Sequence, residues 1–113
     1  MNRIEVFNKV KQHLLTQNER STVYINSDRC SYRGDNGMSC AIGILIPDEL
    51  YKPCMESNNF YELLEGFPAV AIHLDLDGLE DVEFLAEIQN IHDCNRPEKW
   101  PTKLSKFAEE HKL

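Results

Sequence analysis

Four cysteines and a histidine followed by an aspartate are the residues in this chain with the widest chemical reach. A thiol enzyme needs a thiolate, a base and a group that orients the base. Cys40 opens the apolar run CAIGILI, and if that run is helical its N-terminus would lower the thiol pKa, with His92 as the base. Two features weigh against this pair. His92 falls within the apolar arc of its own helical pattern, where an imidazole bonded to one polar neighbour is the commoner outcome. Asp93, the adjacent residue, projects about 100° away around a helix and is poorly placed to orient it. A metal centre would instead draw on Cys30, Cys40, His92 and Cys94. Zinc sites use closely spaced pairs such as C-x2-C, whereas the spacings here are C-x9-C and H-x-C. Packed, reduced cysteines behave as small hydrophobes and account for the same residues without a metal. No cofactor is expected.

HLDLDGLEDVEF, residues 73–84, contains the D-x-D-G of a calcium loop. With the glycine at the sixth position, His73 falls first and Phe84 twelfth, where the loop requires Asp and a bidentate Glu. A helix start rich in carboxylates explains the segment more simply. The phosphate-loop, dinucleotide, nucleophile-elbow and H-E-x-x-H patterns are absent, so nucleotide hydrolysis and zinc proteolysis have no support.

Charge is distributed less evenly than the formal net of −7 suggests. Residues 1–52 carry seven basic and six acidic side chains, and residues 96–113 carry five and three. Between them, 43 residues hold ten carboxylates and no Lys or Arg. Such a balance disfavours attraction to a phosphate backbone, and so a nucleic-acid partner. It suits a protein partner with a basic surface, met by a face centred on Asp75, Asp77, Glu80, Glu83 and Glu87. The plainer alternative is a soluble surface whose acidic middle is neutralised by the basic flanks. Arg29 and Arg33, beside the Gly34–Gly37 turn formers, leave room for a further alternative, capture of a small phosphorylated ligand such as a signalling nucleotide.

These residues need elements to hold them, and 113 residues with 42% hydrophobic and 27% charged side chains suit one globular domain. Nowhere do about eighteen apolar residues run together, so no membrane span is expected. The start, MNRIEVFNKVKQHLL, lacks the apolar stretch of an export signal, which points to the cytoplasm and to free thiols. Asn2 and Glu5 fit a capping box ahead of Ile4, Phe7, Val10 and Leu14, predicting a helix over about 3–17. The β-branched segment 21–25 follows. Gly34, Asp35, Asn36 and Gly37 then predict a small β-hairpin near 30–40, centred on Asp35, with Cys30 opposite Cys40.

CAIGILI reads as a short helix ending at Pro47. Asn58 or Asn59 caps another through Phe60, Leu63 and Leu64. Alternation of Val70, Ile72, Leu74 and Leu76 with polar or small residues predicts a short strand over 70–76. Asp77 and Glu80 suggest a second capping box before a helix over about 79–93, with Phe84, Leu85, Ile88, Ile91 and His92 on its apolar arc and Glu80, Glu83, Glu87 and Asn90 opposite. Leu104, Phe107, Ala108 and His111 mark a last helix after Pro97 and Pro101, with Trp100 filling the gap between the last two helices. The expected class is therefore mainly α with a small β-hairpin, α+β being possible.

CAIGILIPDELY (residues 40–51), FLAEIQNIHD (84–93) and W-x3-L-x2-FA (100–108) resemble segments of a group of small uncharacterised proteins of bacteria and their phages. The resemblance implies a compact stand-alone domain carried on mobile elements, and no catalytic residues. By analogy with other small acidic proteins of such origin, it implies an inhibitor that binds and blocks a host protein, defence nucleases included. The function expected from the chain is a non-enzymatic binder, with a thiol enzyme using Cys40 and His92, or a small-ligand binder, as alternatives.

Overall fold

Asn2 starts the first helix as its spacing predicts: the side-chain oxygen accepts the Glu5 N–H at 3.1 Å, and Asn18, in the left-handed conformation at φ 51°, ends it. The structure is a computed structural model describing residues 1–22 and 30–113. Most of the β-branched segment 21–25, and Arg29, lie outside the described residues. Those residues form five α-helices: α1 (Arg3–Gln17), α2 (Phe60–Gly66), α3 (Pro68–Leu74), α4 (Gly78–Cys94) and α5 (Trp100–Glu110). Short 3-10 turns lie at Asp35–Gly37, Gly43–Leu45, Pro53–Ser57 and Pro97–Lys99. The fold is mainly helical, and among the described residues no helix is long and apolar enough to cross a membrane.

The core is built where the apolar faces of α1, α4 and α5 meet. Phe107 of α5 lies between Phe7 of α1, with ring centroids 5.8 Å apart, and Phe84 of α4, at 5.1 Å. Val10, Leu14, Leu85, Ile88 and Leu104 are buried around them. Each such side chain withdraws enough apolar surface to stabilise the fold by roughly 1.5–3 kcal/mol before conformational entropy is counted. Trp100 occupies the expected gap between α4 and α5. Its ring stacks 5.3 Å from that of His92, and its Nε1–H donates to the Asn95 carbonyl at 3.3 Å.

Two predicted elements are corrected. The β-hairpin is not formed: among the described residues there is no strand, and only an isolated antiparallel bridge joins Arg33 to Ser39. That bridge centres the turn on Asn36, itself at φ 58°, so Cys40 faces Tyr32, to whose carbonyl its N–H points at 3.4 Å, and not Cys30. Pairing stops after two bonds, Gly34 N–H to the Met38 carbonyl at 2.8 Å and Cys40 N–H to that of Tyr32, because the Tyr32 N–H that would continue it is taken by Glu56; the backbone groups of Arg33 and Ser39 face outward to side chains. Gln17 of α1 accepts the Ser39 N–H at 2.9 Å and donates to its carbonyl at 3.1 Å, while Glu56 accepts the N–H groups of Tyr32 and Arg33 at 2.8 and 3.0 Å. Ser31 and Asp35 donate to the carbonyls of Ser21 and Thr22.

The predicted strand over 70–76 is helix α3, which Pro68 begins and Asp75, at φ 53°, ends. Val70 and Leu74, spaced i and i+4, are buried, and Ile72 between them is 78% exposed. A four-residue alternation fits either period, and with no strand among the described residues to pair with, the helix satisfies the backbone internally.

CAIGILI forms only the 3-10 turn Gly43–Leu45. There the Gly43 backbone lies so close to the Tyr32 carbonyl that a β-carbon has no space. Asn59 caps α2 through a complete capping box with Glu62. At the start of α4 the expected Asp77–Glu80 box is replaced. Asp77 makes no side-chain cap bond, and the Asp81 carboxylate reaches back to the Asp77 N–H at 2.8 Å.

Candidate functional site

The structure does not join Cys40 and His92 into a catalytic couple. Cys40 is buried beside the Gly43–Leu45 turn, where its Sγ accepts the Gly43 N–H at 3.3 Å. Burial pushes its thiol up to about 12, the Gly43 N–H opposing and the negative charge of Asp93 adding to the effect, and with only a 3-10 turn here the helix N-terminus expected to lower it is not formed. His92, fully buried on α4, has both ring nitrogens occupied elsewhere. Nε2 accepts the backbone N–H of Ser21 at 3.1 Å, which places the proton on Nδ1, and Nδ1–H donates to Asp93 Oδ1 at 2.8 Å. Asp93 therefore does orient His92, against the expectation from helix geometry. Nδ1 is the ring nitrogen nearest the backbone, within reach of a short carboxylate on the next residue.

The metal candidates are separated in part. Cys30 comes next to His92, with Asp93 as the third member: one donor atom from each lies within 4.8 Å of the others. Cys40 bonds the Gly43 amide and Cys94 is exposed. The donor chemistry does not suit a cation. A ligating Nδ1 must give up its proton, Nε2 would then carry one, and two N–H groups would face each other at the Ser21 contact. Cys30 is held as a thiol, its pKa pushed to about 11 chiefly by burial and then by the Asp93 charge. The Cys30–His92–Asp93 cluster works as a fastening, tying the chain around residues 21 and 30 to the end of α4.

Beside this cluster opens a cavity of about 470 Å³. Sequence reasoning did not find it, because its walls come from four separate parts of the chain. Tyr32 and Glu56 line one side, Phe60 and Tyr61 the start of α2, and Gln89 and Asp93 one face of α4. Glu56 organises the floor: besides the two backbone N–H groups it accepts the Tyr51 hydroxyl at 2.5 Å. Burial first, and then Glu56, push the Tyr51 phenol up to about 12. Tyr32 shifts upward for the same reason, burial leading and the charges of Cys40 and Glu56 following. No Lys, Arg or His is among the described residues that line the cavity.

Arg33 lies at a second cavity, of about 410 Å³, but its guanidinium donates to Asp48 and to the Ile46 carbonyl, both at 2.7 Å, and lies over the Tyr51 ring.

The five carboxylates expected at a partner face, Asp75, Asp77, Glu80, Glu83 and Glu87, are all exposed. Glu87 meets His111 at 2.9 Å, and Asp75 lies 3.7 Å from the terminal amine. Among the described residues no lysine forms an ion pair with any of them. Ile72, at 78%, and Leu79, at 66%, are exposed in the same stretch of chain. Asp81, in the middle of the acidic run, belongs to the interior instead, bonded twice by Arg3 at 3.0 Å. A partner for a buried carboxylate 78 residues away leaves no local mark in the sequence.

Comparison with family models, curated proteins and solved structures finds no match.

Proposed function

We propose that this protein is a non-enzymatic binding protein whose α3–α4 face meets a basic surface on another protein and covers it. The observation that carries this reading is that two large apolar side chains, Ile72 on α3 and Leu79 on α4, are exposed in the same stretch of chain as carboxylates that no lysine neutralises among the described residues. An apolar centre with a charged rim is the usual anatomy of a protein interface, and the negative rim would speed encounter with a basic partner and select for it. Inhibition by occlusion, as the mobile-element resemblance implies, needs no more than this. The buried thiol of Cys40 and the committed nitrogens of His92 leave the thiol-enzyme alternative without a nucleophile.

The test uses wild-type protein and the triple variant Glu80→Lys, Glu83→Lys, Glu87→Lys as matched baits for cell lysate. All three positions are exposed, so circular dichroism should be unchanged. Wild type should retain basic proteins, less of them as salt rises, and the variant should lose them. Equal capture by both baits, insensitive to salt, would remove the proposal.

A further inference from the structure

We propose that the cavity beside α4 is a socket for a guanidinium group, an arginine side chain of the basic partner; only the source of the guanidinium rests on the reading above. At about 470 Å³ the cavity falls within the range of about 300–1,000 Å³ common to ligand sites. Glu56 and Asp93 are in its wall, and the described lining residues include no cation. Arg20 donates to the Asp93 backbone carbonyl.

The two carboxylates differ in what they have left to offer. Glu56 is engaged by the Tyr32 and Arg33 amides and the Tyr51 hydroxyl, so it contributes charge. On Asp93, Oδ1 receives the His92 and Gln89 donors, the Cys30 thiol also bonds the carboxylate, and the side chain still keeps a third of its surface open. Burial first, and the Asp93 charge with it, raise the pKa of Cys30, Tyr32 and Cys40 in the lining.

Shape favours guanidinium over ammonium. Tyr61, at the cavity, is 50% exposed, and a planar guanidinium can stack on an aromatic ring while its edge donates to a carboxylate or amide oxygen. Asn90, exposed at the mouth, provides such an amide. On α4 the wall residues Ala86, Gln89, Asn90 and Asp93 continue at helical spacing from Glu83 and Glu87. A basic segment lying along the acidic side of α4 would therefore reach the cavity without leaving the helix.

Titration of 15N-labelled protein with N-acetyl-arginine methylamide in 150 mM salt tests the socket. Saturable shifts should centre on Tyr61, Gln89 and Asn90. The citrulline derivative, of the same shape without charge, should bind at least tenfold more weakly, and so should the lysine derivative. Asn90→Arg, which supplies a guanidinium at the mouth, should abolish the shifts. Equal binding of citrulline or lysine, or shifts elsewhere on the surface, would overturn the proposal, and the wild-type titration decides this even if the variant misfolds. Probe binding without salt-sensitive capture would sink the acidic-face reading alone, and capture without probe binding would sink the socket alone.

Discussion

Replacing Asp81 by Asn tests the physical account of how α1 is held to α4. The carboxylate is 4% exposed. Oδ1 accepts from Arg3 Nε and lies equally close to Nη2, both at 3.0 Å, and Oδ2 accepts the Asp77 N–H at 2.8 Å. A hydrogen bond to a charged group contributes about 1.5–3 kcal/mol, but Arg3 is 37% exposed and solvent screens part of its attraction. Asn keeps one oxygen for the Asp77 N–H and loses the charge, so the expected loss is about 2 kcal/mol. Trp100, the only tryptophan and fully buried, reports urea unfolding directly.

Acid gives a second readout of the same contact. Burial works to raise the Asp81 pKa, but the Asp77 N–H and the Arg3 guanidinium outweigh it and hold the carboxyl below its ordinary 3.8. A carboxyl depressed in the folded state stabilises fully above its unfolded pKa, and this stabilisation is lost as pH falls through the folded value. The gap between wild type and Asp81→Asn should be constant near neutrality and close in strong acid. A variant within about 0.5 kcal/mol of wild type, the range of unremarkable surface substitutions, would refute the clamp, as would a gap that acid leaves unchanged.

His92→Phe keeps an aromatic ring against Trp100 and strands the Ser21 N–H. Stability should fall by about 2–3 kcal/mol, and equal stability in urea would deny the fastening role. With an alkylating reagent at neutral pH, the exposed Cys54 and Cys94 should react first, Cys30 slowly, and Cys40 only on unfolding, since its thiol stays protonated to about 12. Mass mapping that found Cys40 modified early would restore the thiol-enzyme alternative.

The helices legible in the sequence are those whose caps and period agree. Asn2 with Phe7, Val10 and Leu14, Asn59 with Glu62, and the arc from Phe84 to His92 each combine a local start signal with an apolar stripe. The failures share a cause. For residues 30–40 the turn formers predict the reversal, but Glu56, distant in sequence, takes the Tyr32 N–H that a longer hairpin would pair. For 70–76 the same apolar letters satisfy two periods, and the helix, which bonds its backbone internally, needs no partner strand. The exposed carboxylates on α4 were visible from periodicity alone, whereas the cavity required residues 30–32, 40, 56–61 and 86–93 to be brought together. Nothing local encodes that.

The carboxamide of Gln17 does for Ser39 what a neighbouring strand would do, and Glu56 does the same for Tyr32 and Arg33. Unpaired backbone along a reversal of this kind is where polypeptides recruit one another into extended assemblies. With those amides capped from within, the bend at residues 30–40 is protected against templated growth, and substituting Gln17 or Glu56 would remove that protection along with the local order.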